Sequence, residues 1–211
     1  MENKIEKTLR FYLLATKLKE VVRTGWMQWH VSKERLESIA EHVYGTAMLA
    51  IGIDSEFKYD INIDRVIKMI VLHELEEVII GDITPYDKTT KEEKYEIGMK
   101  AVKQILKDMI KEDEYYNLLE EFCLKTTNDA LFAYMCDKLE ACIQAKVYDE
   151  NGYCNIFSDE NKYRWESEVL NKVYKDDVKT LSDLFCLYYD NQFDENFKSI
   201  TDYITQNNIL K

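Results

Sequence analysis

The sequence predicts an all-α protein, on three observations. It holds one proline and six glycines in 211 residues, too few for a turn-rich β fold. Ser38-x-x-Glu41 and Thr90-x-x-Glu93 are capping boxes, the signature of a helix start. Apolar residues recur at helical spacing through most of the chain.

Taken in order, residues 3–22 carry Ile5, Leu9, Tyr12, Leu13 and Leu18 at helical spacing. Arg23-Thr24-Gly25 should end that helix, because glycine is favoured just past a helix end. An aromatic connection follows, Trp26 to Val31. The first capping box then opens a helix to about Phe57, which is expected to bury Ile39, Val43, Ala47, Ala50 and Ile51 and has His42 in its first turns. Asp60 or Asn62 can cap a central helix running to Gly81, with Pro85 beyond, where a helix cannot easily continue. The second box opens a surface helix from about Lys91 to Lys111 with Ile97, Ala101, Ile105 and Met109 four apart. A short helix spans roughly Asp113 to Leu124, and a largely apolar one covers 128–148 with Asp137 inside it. The more polar tail beyond Gly152 has helical patterns at Val178, Leu181, Phe185 and Tyr188, then at Phe193, Phe197, Ile200 and Ile204.

Composition narrows the function. A chain that is 46% hydrophobic and 32% charged is ordinary for a globular protein, and its length suits one domain over 1–211. No run of about 18 uncharged apolar residues is present, so no membrane span is expected. The opening residues are charged and amphipathic, without an apolar targeting segment or small-residue cleavage site, which points to the cytoplasm. Five cysteines with no C-x-x-C pair read as reduced thiols rather than a zinc knuckle or disulfide framework. A net charge of −12 argues against a nucleic-acid polymer as partner, and means that an anionic substrate needs a local cation.

The central stretch, Val66 to Pro85, supplies a candidate. Its apolar residues, from Val66 and Ile67 to Val78, Ile79 and Ile80, are too many for a surface helix, so burial nearly all round is expected. His73, Glu74 and Glu77 lie within an arc of about 100° on it. Buried ionisable groups are costly unless paired or metal-bound. His42 and Asp137 on two other helices complete a set of two imidazoles and two carboxylates, which suits a transition metal with open positions. Structural alternatives stand beside this: Asp137 can pair with Lys138, Glu77 with a basic residue, and Trp26 and Trp29 can be core aromatics. His73-Glu74-x-x-Glu77 is no zinc-protease motif, since its last residue is not histidine.

A histidine, then a His-acidic pair 31 residues on (73 − 42), then an aspartate 63 further (137 − 74), resembles the H…HD…D signature of HD-domain metal-dependent phosphohydrolases. Arg23-Thr24-Gly25-Trp26, Glu37-Ser38-x-Ala40-Glu41-His42, Glu77, Gly81-Asp82-Ile83-x-Pro85 and Lys91-Glu92-Glu93 resemble the branch that dephosphorylates deoxynucleoside 5′-monophosphates. These motifs lie within about 10–148, leaving 155–211 as a helical C-terminal extension. One departure is plain: the family's HD is His73-Glu74 here.

The resemblance implies an HD-type helical bundle with one divalent metal, Mn²⁺ or Co²⁺ in kind, held by His42, His73, Glu74 and Asp137. It implies Glu77 as general acid or base, Arg23 on the phosphate, Trp26 near the sugar and Asp82 on the nucleoside. It also allows a homodimer. Two alternatives remain: an HD hydrolase of a triphosphate, cyclic nucleotide or alarmone, and a non-catalytic module that binds a nucleotide or a partner.

Overall fold

The computed structural model describes residues 4–171, 173 and 175–211. Among them the helices are α1 (Lys4–Ala15), α2 (Thr24–Gln28), α3 (Ile39–Glu56), α4 (Ile63–Leu72) and α5 (Glu77–Ile80), then α6 (Lys91–Leu106), α7 (Glu112–Leu124), α8 (Asn128–Glu150), α9 (Leu181–Tyr189) and α10 (Glu195–Gln206). The described residues contain no strand beyond one isolated antiparallel bridge, so the all-α expectation holds. No helix among them is long and apolar enough to cross a membrane. The chain forms two compact units: one runs up to Arg23 and resumes over Glu37–Tyr134, and the other takes Thr24–Leu36 and Met135–Lys211.

In the first unit, a core of Leu75, Val102, Ile105, Leu106 and Leu119 is flanked by Phe11, Leu14 and Ala15 of α1. This corrects the expected face of α1. Ile5, Leu9, Tyr12 and Leu13 are exposed, and the helix stops at Ala15, passing into a 3₁₀ turn, Thr16–Lys19, that buries Leu18. Gly25 ends nothing, because it lies inside α2. Both capping boxes form as expected: Ser38 N–H donates to Glu41 at 2.9 Å, and Thr90 N–H to Glu93 at 2.8 Å.

On α3 the buried set is Ile39, His42, Thr46, Ala50 and Ile53, while Ile51 is exposed. The inward face is thus rotated toward the histidine. The expected central helix is broken in two. Asn62 caps α4, accepting from Arg65 N–H at 3.2 Å, and the Arg65 guanidinium then grips both carboxylate oxygens of Glu121 on α7. The stretch is not buried all round either, since Val71 and Ile79 face solvent.

The second unit is built on aromatics. Trp26 stacks on Phe185 and meets Tyr148 edge-on, each at 5.2 Å between ring centroids. Trp165 stacks on Phe157 at 5.4 Å. Asn161, buried, receives His30 Nδ1 at 2.8 Å and donates to the carbonyls of Trp29 and Asn155. Near the end of α8, Asp149 accepts from the N–H groups of Leu181 and Ser182 and so caps α9.

Candidate metal centre

The first unit brings His42, His73 and Glu74 together. Ser38 starts α3 one turn before His42, whose N–H donates to the Ser38 carbonyl at 3.1 Å. The His42 side chain is 0% exposed, and Thr46 Oγ1 donates to the His42 carbonyl at 2.9 Å. His73 sits just past α4, where its Nδ1 lies 2.7 Å from the Ile70 carbonyl. That contact gives a reason for the broken helix. The carbonyl at i−3 is shared with a side chain, and the following N–H groups tighten to i−3 partners, Leu75 onto Leu72 and Glu77 onto Glu74. Leu75, buried in the core, anchors the turn between them.

The same contact sets the tautomer. A carbonyl only accepts, so Nδ1 carries the proton and a neutral His73 has its lone pair on Nε2. His73 Nε2 lies 3.3 Å from Glu74 Oε1, and His42 Nε2 lies 3.9 Å from the same oxygen. Two groups with lone pairs at that distance repel unless a proton or a metal ion lies between them. His42, His73 and Glu74 each offer a ligand atom within 4.8 Å of the others. Two imidazoles and a carboxylate, with a carbonyl orienting one ring from behind, fit a divalent transition metal.

Arg23 is fixed by the Val22–Ser38 bridge, its N–H donating to the Glu37 carbonyl at 3.0 Å. Its guanidinium lies 3.9 Å from Glu74 Oε1. Glu77, the first residue of α5, is 2% exposed, and its Oε2 is buried without a hydrogen-bond partner among the described residues. Burial, then the charges of Glu74 and Asp82, push its carboxyl up to about 11, against a downward pull from Lys94. Gly81 closes α5 at a φ of 74°, a left-handed conformation that suits glycine, and delivers the half-buried Asp82.

Lys94 lies just outside the motif Lys91-Glu92-Glu93. Its Nζ donates to the Ile83 carbonyl at 2.8 Å and lies 3.8 Å from Glu77 Oε1. A lysine in the first turn of a helix, where the dipole disfavours a cation, is the one signal that could have flagged it. Asp137, on the part of α8 in the second unit, is buried and paired to Lys138 at 2.7 Å. Trp26, in the same unit, is 1% exposed, with its ring enclosed by Phe185 and Tyr148.

Residues 15–176 match the family model described as HD domain, most of the chain. The chain belongs to the HD domain family. Among its HD relatives, 5′-deoxynucleotidase HDDC2 of Dictyostelium discoideum is 36% identical over 149 residues, covering 67% of this chain and 77% of that protein. The human 5′-deoxynucleotidase HDDC2 is 35% identical over 145 residues, covering 67% and 68%. A predicted metal-dependent phosphohydrolase from Magnetospirillum magnetotacticum MS-1 shares the fold, with a TM-score of 0.67 at 20% identity over 97% of this chain and 92% of that one.

Proposed function

We propose that this protein is a metal-dependent phosphohydrolase that removes phosphate from deoxynucleoside 5′-monophosphates. The observation that carries it is the facing of His73 Nε2, His42 Nε2 and Glu74 Oε1 with Arg23 beside them, in a member of the HD family. Relatives named 5′-deoxynucleotidases, at 35% and 36% identity, supply the substrate class.

In this reading His42, His73, Glu74 and Asp137 hold one divalent ion, Mn²⁺ or Co²⁺ in kind. When bound, such an ion polarises the phosphoester and makes water a better nucleophile. Arg23 pairs with phosphate oxygens, which its planar fork can meet two at a time. Glu77 moves the proton, from the attacking water or to the leaving sugar oxygen. Asp82 accepts from the nucleoside part. Trp26, whose ring packs on Phe185 and Tyr148, would lie near the sugar and help exclude a ribose 2′-OH through that packing. Positioning and charge stabilisation supply most of the acceleration in phosphoryl transfer, so the ligand set and Arg23 should dominate. A cytoplasmic location and a homodimer belong to the same proposal, and the exposed Tyr44, Met48 and Ile51 stripe of α3 is a surface a second copy could cover.

The test is phosphate release from deoxyribo- and ribonucleoside 5′-monophosphates and from triphosphates, with Mn²⁺ or Co²⁺ and with chelator. Preferred turnover of the deoxyribonucleoside monophosphates, lost on chelation, is expected. Turnover of triphosphates alone, or none with any metal, would overturn the proposal.

A further inference from the structure

We propose that Lys94 is a positioning residue for Glu77, tying that carboxyl group to the loop beginning at Gly81. The inference rests on the reading of Glu77 as general acid or base given above.

The geometry is a three-way contact. Lys94 Nζ reaches the Ile83 carbonyl at 2.8 Å and Glu77 Oε1 at 3.8 Å, so one ammonium spans the loop and the acid. Glu77 Oε2 has no hydrogen-bond partner among the described residues, which leaves Lys94 as a close cation at the opposite oxygen. Glu74 and Asp82 add like charge around Glu77, and Lys94 opposes them.

The placement of Lys94 has a cost to α6 itself. The Thr90 capping box puts Lys94 in the first turn, with its N–H on the Thr90 carbonyl at 2.9 Å, where the helix dipole repels a cation. One turn on, Gly98 lies on the same face of α6, and a Cβ there would stand 3.4 Å from Glu76 Cγ. The helix is therefore seated against the acidic turn at a second point. The Lys94 side chain is still 38% exposed, so a small solute can approach its position.

The experiment is steady-state phosphate release from a deoxynucleoside 5′-monophosphate with Mn²⁺, for wild type, Lys94→Ala, Lys94→Arg, Glu77→Gln and the double variant Lys94→Ala/Glu77→Gln. Misplacing an acid–base group costs about 10- to 100-fold, so Lys94→Ala should lose that much kcat while KM and bound metal stay near wild type. Lys94→Arg, or ethylamine added to Lys94→Ala, should restore part of it, which loss of a merely structural side chain would not allow. The double variant should be no slower than Glu77→Gln, because both changes remove one function. Wild-type kcat in Lys94→Ala, no recovery with arginine or ethylamine, or losses that multiply in the double variant would overturn the proposal while leaving Glu77 in place. Wild-type kcat in Glu77→Gln would instead remove the acid–base reading, and this inference with it.

Discussion

Replacing Glu77 by glutamine should separate stability from catalysis, and the structure sets the size of the effect. The carboxyl is 2% exposed and is pushed from 4.5 up to about 11 by burial, then by Glu74 and Asp82. A carboxyl whose folded value is raised holds its proton in both states below about 4.5. Above that, the unfolded chain ionises while the folded one resists, so stability falls with rising pH up to the folded value. The slope is at most about 1.4 kcal/mol per pH unit. Glutamine does not titrate and escapes the penalty. In chelator-treated protein, the stability of Glu77→Gln relative to wild type should therefore improve by up to about 3 kcal/mol between pH 5 and pH 7. Any fixed cost of burying the amide cancels in that comparison. Urea unfolding of both proteins at the two pH values measures it. The same variant should lose about 10²-fold or more in turnover with Mn²⁺. A stability difference that stays flat with pH would refute the electrostatic argument, and full turnover would refute the catalytic one.

Asp137→Asn should leave the helical content of the protein intact but lower the metal retained after dialysis, measured by elemental analysis; retention equal to wild type would take Asp137 out of the ligand set. Trp26→Ala should destabilise the protein by about 3–5 kcal/mol, the cost of emptying a large buried aromatic site, read by urea unfolding. Trp26→Phe, which keeps most of the packing, should retain the wild-type KM, and a large rise in KM in a stable Trp26→Phe protein would mean that the indole touches substrate.

Much of the architecture was legible because its signals are local. Ser38 with Glu41 and Thr90 with Glu93 cap helices through bonds three residues apart, so they formed where the sequence put them. The helices over 112–124 and 128–150 lie within two residues of the expected 113–124 and 128–148. The family motif was legible too, since the spacing of His42, His73, Glu74 and Asp137 is a property of the chain alone, and the HD match over 15–176 agrees with it.

What the sequence by itself determined is the helices, their caps and the chemical types set at motif spacing. Tertiary structure decided which faces turn inward. The periodicity of α1 offered Ile5, Leu9 and Leu13, yet Phe11 and Leu14 are the residues that meet the core around Leu75. On α3 the winning face carries His42 and Thr46 rather than Ile51. A helix can bury any stripe for which a partner exists, and partners come from residues distant in sequence. The interruption between Leu72 and Glu77 follows a ring bonding the Ile70 carbonyl, and the reach of Lys94 to Glu77 depends on where α6 is seated. Neither has a local signature strong enough to read in advance, because each is a contact between groups that the fold alone brings within bonding distance.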